Sequence, residues 1–192
     1  FYSVIRPSKI DISLSPSDFG LAEEVVSIKS SDGLNLSAWL FENIETKKKK
    51  RAIIILHGYP ADKRDMLSFA AHLHRNFTVL VPDLRSFGES EGAYTTLGIK
   101  ERGDVSSVID FLESRGYEEV GILGFSLGGA VGFLSAAEDY RIKAIASYAS
   151  FSDLPALGED VYSKLFIFKK PMVNLMLLWS RLFFHESVRD VS

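Results

Sequence analysis

A serine with a glycine two residues to either side, Gly124-Phe125-Ser126-Leu127-Gly128, is the part of this sequence best suited to covalent chemistry. A short apolar run, Val120-Gly121-Ile122-Leu123, precedes it, and a small-residue run, Gly128-Gly129-Ala130-Val131-Gly132, follows. The first suits a buried strand, the second a helix packed closely beneath a sheet. Together they predict a sharp strand-to-helix turn with the Ser126 hydroxyl at its tip, where a strained backbone requires small neighbours. Other glycine-rich readings fail on particular residues. A phosphate-cradling loop needs Lys and then Ser or Thr after its second glycine, but Gly129 is followed by Ala130 and Val131. A dinucleotide-binding turn needs glycine where Ser126 stands.

A serine hydroxyl attacks well at neutral pH only when a base removes its proton. The oxyanion that forms needs two fixed N–H donors, each worth about 3–4 kcal/mol of barrier. One is expected from the Leu127 amide at the start of the helix. The other is expected from the loop after Leu56, with Tyr59 as the donor and Gly58 letting the backbone turn.

The elements that must position these groups follow from composition and periodicity. A chain of 192 residues with 46% hydrophobic content suits one domain with a full core. A net charge of −3 gives no global pull toward nucleic acid or an anionic membrane. There is no cysteine, which excludes disulfides and thiolate metal sites. The four histidines, His57, His72, His74 and His185, lack the spacing of a helical zinc site, so neither a metal nor a cofactor is expected.

Residues 25–29 and 34–40 read as strands joined through Ser31-Asp32-Gly33, a hairpin signal. The basic run 47–51 reads as a solvated loop tip. Residues 52–56 form a continuous β-branched stretch, as in a strand buried on both faces. Residues 62–75 predict a helix with Met66, Phe69, Ala70 and Leu73 on one stripe. Residues 77–81 predict a strand stopped by Pro82, residues 83–94 a loop, and residues 99–114 a helix ended by Gly116. The elbow follows, then a strand over 142–148. Strands alternating with helices imply βαβ units and a mostly parallel sheet. His57-Gly58, Asp83 and Ser126 all fall at the carboxyl ends of strands, where such sheets gather function.

At this point the chain resembles the α/β-hydrolase family, in particular its small esterase-like members. The residues that carry the resemblance are Leu56-His57-Gly58-Tyr59, Pro82-Asp83-Leu84-Arg85-Ser86-Phe87-Gly88-Glu89-Ser90-Glu91-Gly92 and Gly124-Phe125-Ser126-Leu127-Gly128-Gly129. They fall in family order across residues 20–153. The resemblance implies an α/β-hydrolase fold, a mostly parallel sheet with flanking helices and an antiparallel N-terminal hairpin. It implies Ser126 as nucleophile, with the Tyr59 and Leu127 amides as oxyanion hole. It gives His57 a structural role, because the hydrolase order places the base after the nucleophile. Asp83, Arg85 and Ser90 are expected to pin their loop, and Glu101 and Asp104 to be a pair of charges on a helix surface.

The family places its acid after a seventh strand and its histidine after an eighth, so both are expected beyond Ser192. Within the sequence only His185 follows Ser126, with Asp139, Asp153, Glu159 and Asp160 between them. The expected division is a hydrolase core over 1–153, of which 1–20 is an extended arm, and a helical cap over 154–192. In the cap, Met172, Leu175, Met176, Trp179, Leu182 and Phe183 make a helical stripe, and Val173, Leu177, Leu178 and Phe184 widen it. The substrate side is expected to involve Tyr59, Phe125, Met176 and Trp179.

The expected function is hydrolysis of a carboxylic ester through an acyl-enzyme on Ser126. Thioesters and small amides are the nearest variants, because the acyl chemistry is shared. The second reading is a non-catalytic hydrolase-fold protein that binds through its cleft or cap. The expected partner is a small apolar acyl substrate, not nucleic acid. Membrane association would come through a segment before residue 1 or through the apolar cap. A cytoplasmic and a membrane-anchored placement both fit these residues.

Overall fold

The computed structural model describes residues 2–8, 13–151, 153, 156–157, 159 and 169–184. A helical turn α1 (Tyr2–Ile5) is followed by strands β1 (Glu24–Lys29) and β2 (Asn35–Phe41), then the short helix α2 (Ile44–Lys47) and strand β3 (Arg51–Leu56). Helix α3 (Leu67–His74) leads to β4 (Thr78–Pro82), and α4 (Glu101–Ser114) to β5 (Glu119–Phe125). Helix α5 (Leu127–Glu138), strand β6 (Ile142–Tyr148) and helix α6 (Lys169–Phe184) complete the described chain.

Six strands form one sheet in the order β1-β2-β4-β3-β5-β6. β1 pairs antiparallel with β2, and β2 antiparallel with β4; the β3–β4, β3–β5 and β5–β6 pairs are parallel. The expected hairpin is present. The Ser30 N–H donates to the Leu34 carbonyl at 2.8 Å and the Gly33 N–H to the Ser30 carbonyl at 2.9 Å, closing its turn.

Alternate residues of each strand face opposite sides of the sheet, and the core splits accordingly. One layer joins Leu40, Ile54, Leu80 and Ile122 to Val105, Val108 and Leu112 of α4 and Val131 of α5. The other joins Trp39, Phe41, Ile55, Val79 and Val81 to Met66, Leu67 and Ala70. The segment expected to be helical over 62–75 opens as a 3-10 turn, Lys63–Met66, because Asp62 caps it by accepting the Arg64 N–H at 2.9 Å. Phe69, expected on its inner stripe, is 43% exposed. Within the basic run Lys48, Lys49, Lys50 and Arg51 are solvated, but Lys47 ends α2 and Arg51 opens β3, so the run is not wholly a loop tip; Lys50 pairs with Glu118 and Arg51 with Glu119.

Two expectations are corrected. The N-terminal arm is not extended where it is described. It holds α1, whose Ile5 is fully buried and whose carbonyl accepts the Thr95 N–H at 2.8 Å, and a second turn, Pro16–Phe19. Asp18 organises that second turn by accepting the Ser15 N–H at 2.8 Å. Glu101 and Asp104 are not surface charges but are buried. Glu101 accepts from the Thr95 hydroxyl, the Thr96 N–H and hydroxyl and the Gly98 N–H. Asp104 receives Nε of Arg85 at 2.7 Å and Nη2 at 2.5 Å. Buried carboxylates with that many donors are stable where unpaired ones are not.

Candidate active site

The turn between β5 and α5 carries Ser126, and its backbone is strained. Ser126 has φ +50° and ψ −112°, a conformation L side chains rarely adopt, which costs of the order of 1–3 kcal/mol. Its N–H donates to the Tyr148 carbonyl at 2.9 Å, so the end of β6 holds the entry to the turn. Its carbonyl accepts from the Gly129 and Ala130 N–H groups at 3.0 and 3.2 Å, so the exit is already the first turn of α5. The flanking glycines are required by close approach. A Cβ at Gly128 would lie 2.6 Å from the His57 carbonyl oxygen, and one at Gly124 would lie 2.5 Å from the Gly129 nitrogen.

The loop after β3 runs against this elbow. A Cβ on Gly58 would meet the Phe125 ring at 2.8 Å and the Ser126 Cβ at 3.1 Å, so the backbone beside Tyr59 passes directly over the serine. Ser126 is partly accessible and Leu127 is buried. As the first residue of α5, Leu127 has no partner for its N–H inside the helix. The Tyr59 ring packs edge-on against Phe87 with centroids 5.9 Å apart and is 38% exposed.

His57 lies beneath that loop and is fully buried. Its Nε2 accepts the Leu84 N–H at 2.9 Å, which leaves the proton on Nδ1, facing the Gly58 carbonyl at 3.0 Å. Burial lowers its pKa below the ordinary histidine value, which favours this neutral form. Both ring nitrogens are engaged with backbone, so His57 ties the β3 loop to the β4 loop and has no free nitrogen for a substrate proton.

Asp83 makes the second tie. Its buried carboxylate accepts the Lys63 N–H at 2.8 Å, Nζ of Lys63 at 2.6 Å and the Glu89 N–H at 2.8 Å. The Lys63 ammonium also reaches Glu89 at 2.7 Å and the Ser37 hydroxyl at 3.1 Å, and lies 5.0 Å from the Trp39 ring centroid. The Ser90 hydroxyl donates to the Asp83 carbonyl at 2.7 Å. Asp83, Arg85 and Ser90 therefore pin their loop, as the sequence suggested. Lys63 was missed: a lysine beside Arg64 and Asp65 reads as surface, and nothing in its neighbours marks it as buried. Tyr148 was missed as well; it is 66% exposed and stacks on Phe125 at 5.6 Å, with 24° between the rings.

Phe125 packs with the second core layer and against Gly58, as a wall of the turn. Asp139 sits at the far end of the 12-residue α5, about 18 Å away along the helix, and is bound by Arg141. Asp153 accepts the Ala156 N–H at 2.6 Å. His185 and Asp160 lie outside the described residues. Met176 is half-buried and Trp179 is 54% exposed. Among the described residues α6 shares no broad packing surface with another element. A groove of about 530 Å³ opens elsewhere, between α4, α5 and the hairpin turn. Its charges face one another, Arg102 on Glu138 and Arg85 on Asp32, and it has no part of the elbow.

Comparison with known proteins bears on the fold. Residues 51–170 match the family described as alpha/beta hydrolase fold. A soluble epoxide hydrolase of Corynebacterium sp. (strain C12) is 33% identical over 87 residues, 45% of this chain and 30% of that protein. An uncharacterized 31.7 kDa protein of the traX-finO intergenic region of Escherichia coli is 33% identical over 136 residues, 68% of this chain and 46% of its own. The chain thus spans less than half the length of these curated relatives. An esterase of Pyrococcus furiosus superposes with a TM-score of 0.75 at 26% identity, over 91% of this chain and 69% of its own.

Proposed function

Given that the chain belongs to the alpha/beta hydrolase fold family, we propose that it is a serine hydrolase that cleaves carboxylic esters through an acyl-enzyme on Ser126. The observation that carries this reading is the strained, partly accessible Ser126 at the mouth of the sheet, with the Gly58 backbone laid against it. In the proposed reaction the Ser126 oxygen attacks the ester carbonyl and its proton passes to a base. The amides of Tyr59 and Leu127 hold the resulting oxyanion, each contributing about 3–4 kcal/mol. Collapse releases the alcohol, and water then frees the acid and restores the hydroxyl. A thioester or small amide would follow the same course.

The base is not His57, whose nitrogens are both occupied. For the acyl side we assign Tyr59, the rim of the Phe125–Tyr148 stack and, from α6, the half-buried Met176. Trp179 is more than half exposed. The likeness to an esterase supports the choice of ester over other hydrolase substrates.

The test is covalent labelling. A fluorophosphonate probe is expected to modify the folded protein at Ser126, and Ser126→Ala is expected to abolish both labelling and hydrolysis of a nitrophenyl ester. A folded protein that takes up no probe would instead support a binding-only role for the cleft.

A further inference from the structure

Four large apolar side chains stand out from α6: Leu175, Leu178, Trp179 and Leu182, each more than half exposed. Their spacing of i, i+3, i+4 and i+7 places them on one stripe. Val173, 6% exposed, marks the opposite side as the one turned toward protein. The helix is therefore apolar on two sides, and among the described residues only one of them is covered. A contiguous apolar strip of this size on a surface signals a partner.

The charge on the same helix indicates which partner. Between Lys169 and Phe184 the sequence holds three cations, Lys169, Lys170 and Arg181, and no carboxylate, within a chain of net charge −3. At 3.6 residues per turn, Lys170 and Asn174 share one flank alongside the stripe, and position 181 falls on the same side of the helix. We propose that α6 lies on an anionic lipid surface, with the stripe at the boundary of headgroups and acyl chains and the cations among lipid phosphates. Tryptophan beside leucine, with basic residues at the margin, is the composition of helices that lie in this interface. A second copy fits less well, because stripe-to-stripe contact brings two sets of like charges together. Over its described span the helix is too short to cross a membrane: 16 residues reach about 24 Å, against a hydrocarbon core of roughly 30 Å. No described helix is long and apolar enough to cross a membrane. None of this depends on the chemistry assigned to Ser126.

The chain carries its own probe. It has two tryptophans. Trp39 is 8% exposed and Trp179 54%, so a lipid-induced change in emission reports on Trp179. The full chain is titrated at low salt with vesicles of phosphatidylcholine alone and of phosphatidylcholine and phosphatidylglycerol in equal parts. The mixed vesicles are expected to shift emission to the blue and to carry the protein upward in a flotation gradient, an effect that added salt weakens. Lys170→Gln is expected to bind about five-fold more weakly. Leu178→Asp, at an exposed position and checked for folding by circular dichroism, is expected to lose binding. In Trp179→Phe the blue shift should vanish while flotation remains. Failure to float with either vesicle overturns the proposal, and so does equal binding to both. A blue shift that grows with protein concentration in the absence of lipid would assign the stripe to a second copy. A Trp179 already blue-shifted and shielded from iodide in the free protein would show that the chain itself covers it.

Discussion

The two ends of this molecule that bear on its function are built in opposite ways. At the carboxyl ends of β3, β4 and β5, the loops are tied to one another by His57 on the Leu84 amide, by Asp83 on Lys63 and by Ser90 on the Asp83 carbonyl. Toward β6 and α6, Lys143, Ala144, Ala146 and Tyr148 are exposed, and α6 turns a row of leucines outward. The difference shows where the strain at Ser126 is held. An unfavourable φ persists only where its surroundings over-determine it, and here those surroundings are the inner loops and the β5–α5 junction. Of the outer elements, the end of β6 still holds the Ser126 N–H through the Tyr148 carbonyl, whereas α6 can be altered without loosening the serine.

The largest expected effect comes from cutting the inner tie. Lys63 and Asp83 have side chains 2% and 0% exposed. Lys63→Met keeps the aliphatic stem but leaves the Asp83 carboxylate buried without its counter-charge. Breaking one side of a buried pair costs about 3–5 kcal/mol. Denaturant unfolding should show a loss of that size, and probe labelling of Ser126 should slow more than stability alone explains, because Lys63 lies four residues after Tyr59 on the same loop and anchors it to Asp83. A loss below about 1 kcal/mol would mean that water reaches Asp83 and the inner end is less dry than its packing implies.

The contrast also explains what could be read from the residues beforehand. The sheet was legible because each strand carries its own periodicity, and the elbow because glycine is the residue that tolerates carbonyl oxygens at van der Waals contact. The Gly58 backbone lies against Ser126, and Leu127 opens α5. The buried charges were not legible. Glu101 and Asp104 sit in a helix whose apolar residues already make a complete inner stripe, and their donors come from Thr95, Thr96 and Arg85, which no helical pattern encodes. Lys63 has the same origin: its partners are 20 and 26 residues away. Polar networks are set by where loops meet, and that is a property of the assembled fold. The placement of α6 fails for a related reason, since apolarity on two sides says a helix has two neighbours but not which.

A medium effect tests how far the inner ties extend. Arg85 links the β4 loop to Asp104 on α4 and to Asp32 in the hairpin turn. The Arg85 guanidinium, and after it the Ser30 hydroxyl, hold the Asp32 carboxyl down to about 2 against an ordinary 3.8. Its folded pKa is depressed, so the stabilisation it contributes is complete above about pH 4 and is lost as pH falls toward 2. The urea midpoint of the wild type should therefore fall more steeply between pH 4 and 2 than that of Asp32→Asn, with little difference in slope from pH 5 to 7. Parallel curves would show that solvent screens this pair and that the network ends at Asp104.

The smallest expected effect is the most discriminating for the outer end. Leu178 is 54% exposed, so Leu178→Ser removes apolar surface that already faces water. Such substitutions stay within about 0.5 kcal/mol when no buried contact is lost. Val173, 6% exposed on the opposite side of the same helix, should by contrast lose about 1–3 kcal/mol as Val173→Ser, through lost burial and an added hydroxyl. Measured side by side without lipid, the pair reads α6 as a helix with one face held and one face free. Equal losses at the two positions would mean that the stripe is already covered in the free protein. The contrast between a pinned inner end and an open outer one would then have to move elsewhere, to the β6 edge alone.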